Sequence, residues 1–106
     1  MNLTNIQKSI DYIEKNLKTD ITAKELSEMS GFSMFHYYRL FQSAVGMPVM
    51  QYIARRRLLH ALYEMHCGEK MVTAAMNYGF ETQAGFYKAF VRKFGYTPKE
   101  FLNWSK

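Results

Sequence analysis

Apolar residues recur along this chain at helical spacing, and no stretch alternates as a half-buried strand would. Ile6, Ile10, Ile13 and Leu17 stand at i, i+4, i+7 and i+11, one face of an amphipathic helix. Thr22-Ala23-Lys24-Glu25 has the form of a capping box, with Thr22 over the first turn and Glu25 reaching back to the Thr22 amide. It predicts a short helix that buries Leu26 and Met29 and stops at Gly31, a residue suited to the left-handed conformation past a helix end. Ser33 caps the next helix, whose inward stripe is Tyr37, Leu40, Phe41 and Ala44 and whose end is Gly46. Helix, short turn opening on glycine, helix is the grammar of a helix-turn-helix, although an ordinary helical hairpin shares it.

Pro48 suits the first position of a helix that runs to His66 or Cys67 and ends at Gly68. At 1.5 Å per residue this rod is about 28 Å long. Tyr52, Ile53, Leu59, Leu62 and Tyr63 give it apolar cover on more than one side, as a rod held by two lobes would need. The helix-turn-helix pattern then returns: Met71 to Tyr78, a turn at Gly79, and Thr82 to Phe94 with Phe86, Ala89 and Phe90 inward. Gly31 to Gly46 covers 15 positions and Gly79 to Gly95 covers 16, so one supersecondary unit is used twice. Thr97 caps a last short helix from Pro98 to Leu102. Gly85, inside the second helix of the repeat, costs about 1 kcal/mol relative to alanine; close backbone approach and simple tolerance are both open.

Composition narrows the function. The chain has 106 residues, 48% of them hydrophobic, with 8 Phe and 8 Tyr, enough for a sizeable core. No apolar run approaches the roughly 20 residues of a membrane span, and the N-terminus lacks a signal-peptide core, so no membrane association and a cytoplasmic location are expected. The single cysteine, Cys67, agrees with a reducing compartment. A formal charge of +5 suits solubility as well as polyanion binding. Cys67 near a helix C-terminus is a poor nucleophile, because the helix dipole disfavours a thiolate there. His60 and Glu64 share a face at i, i+4, but His66 and Cys67 do not join it at zinc-ligand spacing. No catalytic residue, metal or cofactor is therefore expected, and no enzyme.

Gly79-Phe80-Glu81-Thr82-Gln83, then Phe86, Phe90, Phe94-Gly95-Tyr96-Thr97-Pro98 and Phe101, resemble the C-terminal signature of the AraC/XylS family of bacterial transcription regulators. Arg57-Leu58-Leu59-His60-Ala61 is similar to the family's Arg-Leu-x-x-Ala in the linker helix, and Ser27 and Ala75 match its small helix-packing residues. The resemblance covers Ile6 to Leu102. It implies an all-α fold of about seven helices, homeodomain-like and AraC-type: a first helix-turn-helix lobe at 5–47, a linker helix at 48–67 and a second lobe at 68–106. It implies a domain spanning 1–106 that places two recognition helices in successive major grooves of double-stranded DNA. RNA polymerase and an attached effector-sensing domain outside this chain are further partners it suggests. Opening at Met1 on a helix, the chain suits either a stand-alone regulator or the N-terminal domain of a longer protein.

With Tyr37, Leu40 and Phe41 inward, the expected DNA-facing residues of the first reading helix are Ser33, Met34, Phe35, Tyr38, Arg39 and Gln42. Arg39 leads, since its planar fork can donate twice to guanine O6 and N7. Met34 and Phe35 suit thymine methyls, and Tyr38 suits a phosphate or a base. In the second helix Thr82, Gln83, Tyr87, Lys88 and Arg92 face out. Gln83 can pair with adenine, but Lys88, where family members often carry Arg, is a point charge without the fork. Unequal roles follow, with the first helix discriminating sequence more sharply. Ala74, in place of a larger aliphatic residue, suggests a looser second lobe. Consecutive helical positions turn about 100° each, so Arg55, Arg56 and Arg57 cannot face one surface: Arg57 fits a link between lobes, Arg55 and Arg56 a solvated or phosphate-bound role. The competing class is a helical interaction module that uses DNA weakly; it predicts no steep salt slope and no effect of Arg39.

Overall fold

The computed structural model describes residues 3–104; the first and last two residues of the expected 1–106 domain lie outside the described residues. Among the described residues there are seven helices and no strand: α1 Leu3–Lys15, α2 Ala23–Ser30, α3 Met34–Val45, α4 Val49–His66, α5 Met71–Asn77, α6 Gln83–Phe94 and α7 Pro98–Trp104. They form two compact units, Met1–Arg56 and Arg57–Lys106, with the division inside α4.

In the first unit α1, α2 and α3 pack against one another. Ile6, Ile13 and Leu17 of the expected stripe are buried, together with Leu26, Tyr37, Phe41, Val49 and Ile53. The capping box is present: the Glu25 amide donates to Thr22 Oγ1 at 3.2 Å and the Thr22 amide to Glu25 Oε1 at 3.0 Å. Gly31 ends α2 at φ 76°, in the left-handed region, and donates to the Glu28 carbonyl. Met29, expected inside, is 47% exposed. Ser27 and Ser30 are buried in its stead. Their hydroxyls return to the helix backbone, Ser27 to the Lys24 carbonyl and Ser30 to the Leu26 carbonyl. Two small residues therefore set the packed face of α2 and turn the long Met29 side chain out to its flank.

Pro48 stands one residue outside α4, where its carbonyl accepts from the Tyr52 amide at 3.0 Å. Its fixed φ therefore serves the cap rather than the first helical position. In α3 Tyr37 and Phe41 are fully buried, while the packed side shifts at the last turn from Ala44, which is exposed, to Val45.

In the second unit α6 packs against α5 and α7. Phe86 and Phe90 are fully buried, each contributing about 1.5–3 kcal/mol relative to exposure. They anchor a run of ring contacts: Phe80 to Phe86 at 5.4 Å, Phe90 to Phe94 at 4.8 Å and Phe90 to Phe101 at 5.5 Å. Tyr96 and Trp104 extend it, 4.5 Å apart. Ala74 and Ala75 are fully buried. Thr97 and Glu100 form a second reciprocal capping box at the start of α7, at 2.9 and 3.1 Å.

Candidate nucleic-acid interface

Both helices that follow a glycine-opened turn start under a side-chain cap. Ser33 Oγ accepts from the His36 amide at 3.2 Å, and Thr82 Oγ1 from the Gly85 amide at 3.0 Å. These caps fix where each helix begins and hence which residues face out. A Cβ added at Gly85 would lie 3.1 Å from Thr82 Oγ1, so the cap would have to shift by a few tenths of an ångström to admit one. Ser33 and Thr82 are thus capping residues first, although both remain exposed.

On α3, Met34, Phe35, Tyr38, Arg39 and Gln42 are all exposed and lie on one open side. The Arg39 guanidinium sits over the Phe35 ring, 5.6 Å from its centroid. On α6, Gln83, Tyr87, Lys88 and Arg92 are exposed in the same way, with Ala84 among them. Ala84 and His36 complete the two faces although no sequence motif marks them. The same 3.6-residue period that selects their neighbours would have found them.

Each unit also holds a polar anchor. Tyr37, on the inner side of α3, donates from its hydroxyl to Ser9 Oγ at 2.9 Å, and Ser9 donates to the Ile6 carbonyl at 2.8 Å. Both residues are fully buried, so this pair ties α3 to α1 with no unsatisfied atom. Burial pushes the Tyr37 phenol above its ordinary value. Glu14 of α1 accepts from the Tyr52 hydroxyl at 2.9 Å and from Arg56 Nε at 2.7 Å. Arg56 is therefore held by an ion pair within its own unit, which corrects the expectation of a solvated or phosphate-bound side chain. In the second unit Glu64 accepts from Asn77 Nδ2 at 2.9 Å and is hydrogen-bonded to Tyr78, joining α4 to the end of α5. Burial and then these carboxylates raise Tyr52 and Tyr78 to about 12. No signal within a few residues announces these anchors, whose partners stand 13 to 42 positions apart.

Among the described residues no three His, Cys, Asp or Glu side chains are grouped to hold a metal, and no helix is long and apolar enough to cross a membrane. His60 lies against the Tyr78 ring at 6.0 Å, and Glu64 is engaged with Asn77.

The family described as Helix-turn-helix domain matches residues 26–103. The HTH-type transcriptional activator AarP of Providencia stuartii is 32% identical over 94 residues, 88% of this chain and 70% of AarP. The uncharacterized HTH-type transcriptional regulator YbfP of Bacillus subtilis is 35% identical over 105 residues, 95% of this chain but only 35% of YbfP. The chain thus spans about a third of the one relative's length and most of the other's. Among solved structures, an AraC-type regulator from Chromobacterium violaceum superposes with a TM-score of 0.84 at 20% identity, covering 92% of this chain and 88% of that one. The DNA-binding domain of AdpA, solved with a target DNA, superposes with a TM-score of 0.81 at 18% identity, covering 93% and 90%. At these identities the two structures establish the fold, and the family follows from the matched sequence. The chain belongs to the AraC/XylS family of helix-turn-helix transcription regulators, as a DNA-binding domain of that family.

Proposed function

We propose that the chain reads an asymmetric DNA site as a monomer, laying α3 and α6 in successive major grooves. One observation carries the reading: each unit presents a tyrosine followed by a cation, Tyr38-Arg39 and Tyr87-Lys88, at the same place on the open side of a capped helix. Arg39 donates to guanine O6 and N7, and Gln83 pairs with adenine. Met34, Tyr38 and Gln42 border the Arg39 contact, while Tyr87, Lys88 and Arg92 hold phosphates of the second groove. Ser33 and Thr82, at the helix starts, lie where a phosphate meets a helix N-terminus. The first lobe, the linker helix and the second lobe divide this work as 5–47, 48–67 and 68–106.

The role is cytoplasmic and non-catalytic: the family is a class of regulators, not of enzymes. RNA polymerase and a sensing domain outside this stretch belong to the same proposal; support for the second is that YbfP extends well past the matched portion. An interaction module indifferent to DNA gives no reason for a tyrosine–cation pair on both helices.

Fluorescence anisotropy against a randomised duplex pool at two salt concentrations, with sequencing of the retained DNA, tests the reading. An enriched asymmetric site covering two adjacent major grooves, with affinity falling steeply with salt, is the expected result. No retention at low salt would overturn it.

A further inference from the structure

Near the end of α4 two cavities of the second unit meet at one side chain, Tyr63. The first, of about 270 Å³, is walled by Leu59, Leu62, Tyr63 and His66 of α4 and by Phe101 and Leu102 of α7. The α4 residues stand at i, i+3, i+4 and i+7, a single stripe of that helix. The second cavity, of about 380 Å³, lies at the helix end, where Tyr63 and Glu64 meet Gly68 and Glu69. Tyr63 is 65% exposed, and its hydroxyl is hydrogen-bonded to Cys67 one turn on, which steadies the ring as the wall between the two.

The two cavities differ in character. The first is lined chiefly by aliphatic and aromatic side chains, while the second carries two carboxylates. Glu64 Oε1 accepts from Asn77 Nδ2 at 2.9 Å, and Glu69 Oε1 accepts from the Lys70 amide at 3.0 Å, so both carboxylates are oriented. The last turn of α4 adds the partial negative charge of a helix C-terminus. The chain as a whole carries a charge of +5, yet no lysine or arginine is among the residues that line either cavity. None of the exposed α3 and α6 residues assigned to DNA lines them either.

We propose that the two cavities form one binding site for a small amphipathic cation, an organic ammonium compound with an apolar body. The body enters the space between α4 and α7, where Leu59, Leu62, Phe101 and Leu102 take its apolar surface out of water. The ammonium group rests beside Glu64 and Glu69 and along the Tyr63 ring, whose face attracts a cation. The second cavity is open to solvent, so the charge keeps part of its hydration and escapes the cost of full burial. A neutral molecule of the same shape gains only the apolar contacts. An anion meets two carboxylates and a helix C-terminus.

The chain has one tryptophan, Trp104, whose ring lies 5.5 Å from Phe101, so its fluorescence reports occupancy of the first cavity. Three probes share one body and differ in charge: phenylbutylammonium, phenylbutanol and phenylbutanoate. Each is titrated into the full chain without DNA. Phenylbutylammonium should saturate with a midpoint of about 4 mM or tighter, as expected for a ligand of its size. Phenylbutanol should bind about fivefold more weakly, and phenylbutanoate more weakly still. Glu69→Gln should reduce the preference for ammonium over alcohol to about twofold and leave the alcohol unchanged. Tyr63→Ala should weaken the ammonium about fivefold or more. Glu28→Gln, at an exposed carboxylate of α2 in the other unit, should change nothing. All three substituted residues are exposed, so without probe the variants should keep the wild-type melting temperature.

The absence of a saturable change with phenylbutylammonium overturns the site. Binding of the alcohol or the acid as tight as that of the ammonium overturns the class of ligand, as does a Glu28→Gln effect equal to that of Glu69→Gln. Undiminished binding to Tyr63→Ala overturns the location. Sedimentation of the wild type and Tyr63→Ala reads the rival occupant: self-association that Tyr63→Ala abolishes would give the cavity to a second copy of the chain and overturn the proposal.

Discussion

With Ser33 set on Thr82, the buried pair Tyr37 and Phe41 of α3 falls on Phe86 and Phe90 of α6, and the closing Gly46 falls on Gly95. The exposed residues do not repeat in the same way: Met34, Phe35 and Arg39 fall on Gln83, Ala84 and Lys88. The means of support differ as well. α3 is tied by a buried hydroxyl pair to α1, whereas α6 is wedged by rings, with Phe90 against Phe101 of α7 at 5.5 Å. What the two units share is the minimum a helix-turn-helix needs, a cap, a small residue at the crossing and two large buried residues one turn apart. What they do not share is free to specialise. The most direct way to break this comparison is to attack the shared part. Phe41→Ala and Phe90→Ala should each cost about 3–5 kcal/mol, read by urea unfolding, and similar losses would confirm that each unit depends on its own core.

The supports themselves can be exchanged. Tyr37→Phe removes the bond to Ser9 but leaves Ser9 donating to the Ile6 carbonyl, so the loss should be only about 1 kcal/mol. Phe86→Tyr places a hydroxyl beside the rings of Phe80 and Phe90, and a buried hydroxyl left unpaired there costs about 1–3 kcal/mol. Denaturant midpoints of the two variants should therefore be unequal. Equal losses would mean that a water or backbone group reaches the second site and that the two supports are interchangeable.

The exposed faces are compared by binding. Arg39→Ala should cost about 1–3 kcal/mol on the selected site and relax base preference at one position. Lys88→Ala should weaken all sequences alike and lower the salt slope by about one unit. A larger loss of base preference for Lys88→Ala than for Arg39→Ala would reverse the division of labour. Lys88→Arg sharpens the test, since the fork alone should add preference to the second helix if the groove geometry is matched.

Alkaline pH probes the carboxylate anchors. Tyr52 and Tyr78 are raised from the ordinary value near 10 to about 12, chiefly by burial and then by Glu14 and Glu64. The fold therefore favours the neutral phenols. Their contribution is whole below pH 10 and is lost as the pH rises through about 12. Melting temperature should fall across that window, and Tyr52→Phe and Tyr78→Phe should each flatten the fall. A curve unchanged in both variants would place the alkaline sensitivity elsewhere, Tyr37 being the next candidate.

Much of this architecture is legible locally, for a physical reason. Caps and left-handed glycines are settled within a few residues, so Thr22, Ser33, Thr82 and Thr97 mark four helix starts, and Gly31, Gly46 and Gly95 mark three ends. The outward faces follow from the helical period once Tyr37, Phe41, Phe86 and Phe90 are taken as inward, and even the Phe35–Arg39 contact is implied by its i, i+4 spacing. Partners set by tertiary packing are not legible in this way. Nothing near Arg56 points to Glu14, 42 positions away, and nothing near Ser9 marks it as the one polar residue on the buried stripe of α1. Met29 has the hydrophobicity of a core residue, but the two serines beside it decide which face approaches its neighbours.

The finest difference between the units lies at the caps. Ser33→Ala should cost about 1 kcal/mol, and because His36 already carries a side chain at the capped position, Ser33→Ala and His36→Ala should add. In α6 the capped position is Gly85, and a methyl group there would meet Thr82 Oγ1 at 3.1 Å. Gly85→Ala gains about 1 kcal/mol of helix propensity but displaces the hydroxyl that caps the helix, so alone it should be nearly neutral. With Thr82→Ala already present the hydroxyl is gone, and the same substitution should recover its full gain. Thermal unfolding of the four chains of this cycle should thus give a coupling of about 1 kcal/mol in α6 and none in α3. A Gly85→Ala chain stabilised by the full amount with Thr82 intact would show that the hydroxyl can step aside without losing the cap. The glycine would then have to be explained by what approaches the exposed face of α6 rather than by the helix start.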